Sequence, residues 1–190
     1  MSQAKVLSDP ELKRVLAVVS AMKHAGRNRM LVLLSFQAGM RAGEISSLRI
    51  GHVLNEDSSI RDRIHLQSGQ TKGGGQRTVI LNQKLQREIS DFVGGLRGVR
   101  GNPDQPLIAS QNGGCFSPTT MVMLFRHIYD LAGLQDARSH SGRRSFITKL
   151  ANKGVSVRVV QALAGHSSMQ TTQRYIDVNE GMLVQAVELA

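Results

Sequence analysis

Over most of its length the sequence repeats apolar residues at the three- and four-residue spacing of amphipathic helices, and it breaks that rhythm in one place. Leu12, Val15, Leu16, Val19 and Met22 recur on one face behind the helix-start signal Ser8-Asp9-Pro10. A second apolar helix is predicted from about Arg29 to Phe36, broken by Gly39, and a short one opens near Arg41 with Ile45 and Leu48. From about His52 to Leu81 the signals change. Two short segments, Arg63-Ile-His-Leu66 and Arg77-Thr-Val-Ile-Leu81, flank the turn-rich stretch from Ser68 to Gly75. That contrast predicts a small antiparallel sheet with a flexible tip at Lys72-Gly-Gly-Gly75.

Helical signals return over Gln83 to Val93, from Ser117-Pro118 to about Leu131, and over about Gly142 to Asn152, Val155 to Leu163 and Met169 to Ile176. A last amphipathic helix carries Met182, Leu183, Ala186 and Val187. The Gly/Pro/Asn-rich stretch from Gly94 to Pro106 reads as a surface loop. The expected fold class is mainly α with a small antiparallel β-sheet (α+β), in one domain over residues 1–190.

Charge narrows the function. The chain carries 24 Lys+Arg against 14 Asp+Glu, and 17 of the cations are arginine, which favours planar, bidentate partners such as phosphates. With 41% hydrophobic residues the excess sits on a folded surface, and nucleic acid is the first suspect. Between Arg138 and Tyr175 lie seven Lys/Arg and no Asp or Glu, so this run attracts anions and offers no carboxylates to hold magnesium. Phosphoryl chemistry there is expected to run without a metal. The single cysteine, Cys115, excludes an internal disulfide and fits a reducing cytoplasm. No apolar run approaches the length of a membrane span, so neither secretion nor membrane insertion is expected.

Four segments carry a more specific message. They are Gln37-Ala-Gly-Met-Arg41-Ala-Gly-Glu44-Ile-Ser-Ser-Leu48, Thr71-Lys72 ahead of Gln76-Arg77-Thr-Val-Ile-Leu81, His140-Ser-Gly-Arg143-Arg-Ser-Phe-Ile-Thr148, and Leu163-Ala-Gly-His166-Ser-Ser-Met-Gln-Thr-Thr-Gln-Arg-Tyr175. In this order they resemble the successive motifs of the tyrosine recombinases, the phage integrase family, over about Ser8 to Asp177. The separations of 23 residues from Arg143 to His166 and nine from His166 to Tyr175 resemble the family's too.

The resemblance implies a helical catalytic domain around a small sheet that cuts one DNA strand at a time through a 3′-phosphotyrosyl link and rejoins it to another. Carried over by position, Tyr175 is the nucleophile, Arg41 and Arg143 clamp the phosphate, and Lys72 is the acid for the leaving 5′-oxygen. His140 is then a general base, His166 a phosphate-stabilising donor, and Glu44 the acidic partner beside the first arginine. Lys84 is a distant competitor for the role of Lys72, and Tyr129 lies in no motif. Further DNA contacts are expected from Arg138, Arg144, Lys149 and Arg174, without metal or cofactor. The implied partner is double-stranded DNA with a specific, inverted-repeat site. A homo-oligomer, dimer or tetramer, is expected on that DNA, with the helix over 179–190 exchanged between subunits and an accessory DNA-binding protein assisting.

These residue types suit the chemistry independently. A phosphodiester transition state gathers negative charge on nonbridging oxygens that guanidiniums grip through paired hydrogen bonds. A tyrosine hydroxyl, with an ordinary pKa of ~10, needs a base and cationic surroundings to attack at neutral pH. Two competing functions are a catalytically silent DNA-binding relative and a topoisomerase IB-like nicking-closing enzyme. Two departures carry expectations. Ser141-Gly142 stand where many relatives have an acidic residue and a leucine, and Gly142 is expected to weaken the helix start and loosen Arg143. Only some ten residues precede the first helix, so the chain resembles short members lacking the N-terminal domain that clamps the far side of DNA.

Overall fold

The structure, a computed structural model, describes residues 3–71, 74–96, 102–175 and 180–188. In chain order its elements are α1 (Asp9–Ser20), α2 (Ala25–Ala38), α3 (Ala42–Ser46), β1 (Arg63–Leu66), β2 (Arg77–Ile80), α4 (Gln83–Gly94), α5 (Pro118–Leu131), α6 (Ser141–Asn152), α7 (Val157–Ala164), α8 (Met169–Gln173) and α9 (Glu180–Glu188). The mainly helical class with one small antiparallel sheet is as the sequence implied. Among the described residues no helix is long and apolar enough to cross a membrane.

α2 is the axis of the fold. Met30 to Phe36 are all buried, so the helix is covered on every side, by α1, α4 and α6 among others. α1 is fixed against it by a reciprocal cap. The Ser8 hydroxyl accepts from the Glu11 amide, and the Glu11 carboxylate accepts from the Ser8 amide at 2.8 Å. Val15 and Val19 then enter the core. The helix α2 runs to Gly39, whose φ of 61° ends it in the left-handed region, and α3 starts three residues on.

β1 and β2 pair antiparallel with Arg63 opposite Ile80 and Leu66 opposite Arg77. Period two sends Ile64, Leu66 and Val79 inward, and Arg77 with them. Lys72 and Gly73, at the expected tip, lie outside the described residues. A second, smaller apolar cluster forms from Ile147, Val160 and Ala164, with Phe146, Leu150, Val155 and Tyr175 packed on it. α6 joins this cluster to the main core.

Several boundaries differ from expectation, each for a local reason. α2 begins at Ala25, one turn earlier, because the His24 carbonyl already accepts from the Asn28 amide. α7 begins at Val157, because the Ser156 hydroxyl caps the Val159 amide. α8 ends at Gln173, and the Tyr175 amide turns back to the Thr172 carbonyl. Ile176 and the rest of 176–179 lie outside the described residues.

Gly142 overturns its expectation. A Cβ there would stand 2.4 Å from Ser35 Oγ and 2.9 Å from Phe36 Cδ2. The glycine lets α6 lie directly on α2, and Arg143 beside it is firmly held, at 4% exposure. In α9, Leu183, Val184 and Val187 are exposed, while the side chains of Met182 and Ala186 lie outside the described set.

Candidate active site

The site is assembled around one buried carboxylate. Glu44, 1% exposed, pairs through Oε1 with Arg41 Nη1 at 2.7 Å and through Oε2 with Arg77 Nη1 at 2.5 Å. Its Oε2 also accepts from the Arg41 amide at 2.8 Å, so one side chain caps α3 and holds two guanidiniums. Burial by itself would raise the Glu44 carboxyl. The Arg77 guanidinium, the Arg41 amide and the Arg41 guanidinium overcome that and hold it below the usual carboxylate value.

Arg143 approaches from α6. Its Nη1 donates to the Gly39 carbonyl at 2.7 Å and its Nη2 to the Ala164 carbonyl at 2.5 Å, tying the ends of α2 and α7 together. Burial pushes its pKa down to about 9, and Arg41 and Arg77 push the same way, a sign that three guanidiniums share one neighbourhood. It keeps its charge at neutral pH.

His166 follows the left-handed turn at Gly165, where φ is 62°. Its Nδ1 meets the buried Thr172 hydroxyl at 2.9 Å, and its ring stacks on Tyr175 with centroids 5.6 Å apart and planes 18° apart. Burial, then Arg143, Arg41 and Arg77, drive its pKa down to about 4, so it is neutral at pH 7. A neutral imidazole has one N–H to offer a phosphate oxygen.

Tyr175 is half-buried. Its carbonyl accepts from the Thr148 hydroxyl at 3.4 Å, and the Arg144 guanidinium sits 5.8 Å from its ring centre. Arg144 also donates to the Ala4 carbonyl at 2.8 Å, and the Leu7 amide donates to Ser145 Oγ at 2.8 Å. The segment ahead of α1 is thereby laid along α6 beside the tyrosine. A cavity of about 210 Å³ opens there, lined by His140, Arg144, Arg174 and Tyr175 with Gln3 and Ala4.

His140 stands at the N-terminal boundary of α6, its carbonyl accepting from the Arg144 amide at 2.9 Å. It is exposed, and it lines both the small cavity and a second, wider groove of about 840 Å³ that contains Arg41, Arg49, Gln70 and Thr71. It therefore bridges the tyrosine side of the site to the arginine side.

Five of the six candidate catalytic residues, Arg41, His140, Arg143, His166 and Tyr175, thus converge, with Glu44 beneath them. The sixth, Lys72, lies outside the described residues, although Thr71 before it lines the groove. Of the candidate DNA contacts, Arg144 and Arg174 line the tyrosine cavity. Arg138 is exposed on the turn before α6, where its amide donates to Ser141 Oγ. Lys149 pairs with Asp9 of α1 at 3.0 Å and lines neither opening. Among the described residues no group of three His, Cys, Asp or Glu is placed to hold a metal ion.

Two members of the site were not among the sequence candidates. Arg77 was legible in principle, since strand alternation puts it on the same inward face as Val79. Thr172 offered no such signal, because its role depends on how α8 folds back on His166.

The model of the phage integrase family matches residues 5–182. Tyrosine recombinase XerA of Pyrococcus furiosus is 31% identical over 190 residues, a stretch covering 98% of this chain and 62% of that protein. Tyrosine recombinase XerC of Rhodospirillum centenum is 31% identical over 180 residues, covering 94% of this chain and 50% of its own. The chain therefore spans less than two thirds of these relatives. Among solved structures, a crystal structure of XerA recombinase superposes with a TM-score of 0.74 at 24% identity, covering all of this chain and 64% of its own. XerH site-specific recombinase bound to difH substrate gives 0.72 at 24% identity, covering 96% and 53%. These superpositions establish the shared fold.

Proposed function

The chain belongs to the phage integrase family, and on that premise we propose that it is a site-specific recombinase that cuts and rejoins DNA through a 3′-phosphotyrosyl link at Tyr175. The observation that carries the reading is the stacking of Tyr175 on a neutral His166 beside three guanidiniums, two of them paired with Glu44.

In this reading Tyr175 Oη attacks the phosphorus and its proton passes to His140. Arg41 and Arg143 bind the nonbridging oxygens as negative charge builds, His166 donates a further hydrogen bond, and the 5′-oxygen leaves with a proton from Lys72. By analogy with arginine fingers, one such guanidinium contributes about 10³ to 10⁵ in rate. The phosphoester energy is kept in the tyrosyl link, so a 5′-hydroxyl from a different strand reverses the reaction without a nucleotide or other cofactor. Arg138, Arg144 and Arg174 supply cations for the flanking backbone.

The same reading assigns a double-stranded partner with an inverted-repeat site, recombining in the cytoplasm within a homo-oligomer on DNA, aided by an accessory DNA-binding protein. The exposed Leu183, Val184 and Val187 of α9 are the surface a neighbouring subunit would cover. A tyrosine in place beside His166 argues against a silent DNA-binding relative.

The test is covalent capture. Nicked duplexes prepared from the source genome are incubated with the protein, and adducts surviving denaturant are recovered and sequenced. The wild type should trap a small set of related sequences and Tyr175→Phe none. Adducts on every sequence alike would indicate a nicking-closing enzyme, and no adduct with the wild type would refute the proposal.

A further inference from the structure

Arg77, like Arg143, is withdrawn from solvent. It is buried, with its side chain 5% exposed, whereas Arg41 stands 21% exposed at the groove. From β2 it reaches two separate elements. Nη1 meets Glu44 of α3 at 2.5 Å, and Nη2 donates to the Leu163 carbonyl in the last turn of α7 at 3.0 Å. The next carbonyl, Ala164, is taken by Arg143 from α6. Two consecutive carbonyls at the end of α7, groups a helix cannot satisfy internally, are thus held by two guanidiniums from different elements.

His166 projects two residues further on. Gly165, between them, is part of the joint, because a Cβ there would come within 2.5 Å of Arg77 Cδ and 2.8 Å of its Nε. The missing side chain at Gly165 leaves the slot that the Arg77 stem fills. Glu44 is divided between Arg77, which faces inward, and Arg41, which faces the groove.

We propose that Arg77 is a positioning residue that locks the Arg41-bearing turn, strand β2 and the His166-bearing end of α7 into one rigid unit. The proposal rests on the recombinase reading only for its kinetic consequence. Its physical content is that Arg77 sets the place of Arg41 and His166 without touching DNA. A Lys at this position keeps the charge but lacks the planar fork that presents separate nitrogens to Glu44 and Leu163.

The test compares wild type, Arg77→Met and Arg77→Lys by three measurements. The first is the single-turnover rate of adduct formation on a trapped duplex. For Arg77→Met it should fall about 100-fold, the scale of loss when catalytic groups shift by an ångström, with Arg77→Lys between the two. The second is the salt dependence of binding to the same duplex. A buried arginine releases no counterion, so the slope should be unchanged, whereas a phosphate contact would lower it by about 0.9. The third, by NMR on the free protein, is the pH midpoint of the His166 ring, which should rise by about half a unit once a facing cation is gone.

An adduct rate within about threefold of wild type, or a slope lowered by one contact, overturns the proposal. If the wild type forms no adduct, it is the recombinase reading that falls. The His166 midpoint then decides alone, and an unmoved midpoint overturns the joint. Should Arg77→Met fail to fold, Arg77→Lys carries the adduct-rate and salt-slope readouts, and the His166 midpoint is then read on Arg77→Gln, which also removes the cation.

Discussion

Adding one methyl group at Gly142 probes the closest contact in the fold. Gly142→Ala would set a Cβ 2.4 Å from Ser35 Oγ, 2.9 Å from Ser35 Cβ and 2.9 Å from Phe36 Cδ2. Ser35 is fully buried and belongs to the helix at the centre of the core, so its backbone has nowhere to retreat. Overpacking of this kind costs about 1–3 kcal/mol. Replacing glycine in a helix returns at most about 1 kcal/mol, and less in the first turn. The clash wins, at about 2 kcal/mol net, which lowers the midpoint of thermal unfolding by about 4–8 °C for a chain of this size.

Ser35→Ala removes the nearest atom, a buried hydroxyl without a hydrogen-bond partner, and should cost nothing on its own. In the double variant it should restore about half of the loss, because the Cβ-to-Cβ contact remains. Calorimetric or fluorescence-detected melting of the four proteins measures this. A Gly142→Ala protein as stable as wild type, or more so, would refute the reasoning and show the glycine to be merely a weak helix former.

Two further perturbations test the electrostatics. Glu44→Gln leaves Arg41 and Arg77 facing each other across a neutral amide, and breaking a buried pair in this way should cost about 3–5 kcal/mol in urea unfolding. His166 has its pKa lowered from 6.5 to about 4, so the unfolded chain takes up its proton first as the pH falls. Its contribution is fully present above pH 6.5 and lost on the way down to about pH 4. The ring is only half-buried, and solvent screening leaves on the order of 1–2 kcal/mol. Stability measured between pH 6.5 and 5 should be flatter in His166→Gln than in wild type, and parallel profiles would contradict the assignment.

What the sequence disclosed followed from local physics. Period two fixed both strands, the cap at Ser117 with Pro118 fixed the start of α5, and the glycine at 39 ended its helix where a left-handed residue was needed. What it concealed depended on partners far along the chain. Gly142 reads as a flaw in a helix until Ser35 is set against it. Arg77 reads as an ordinary strand arginine until Leu163, 86 residues on, presents its carbonyl. Lys149 reads as a DNA contact, yet its ammonium sits on Asp9, 140 residues away. Separations of that kind leave no trace in spacing.

The way the chain reaches α1 has a practical consequence. Since Gln3 and Ala4 form part of the cavity wall beside Tyr175, anything joined ahead of them is delivered to the doorway of that cavity. On the recombinase reading, an affinity tag or fusion partner placed there becomes a neighbour of the proposed nucleophile and would compete with DNA for entry. On that reading, rates measured on such a fusion would describe the obstruction as much as the chemistry, and variants are best compared without the tag.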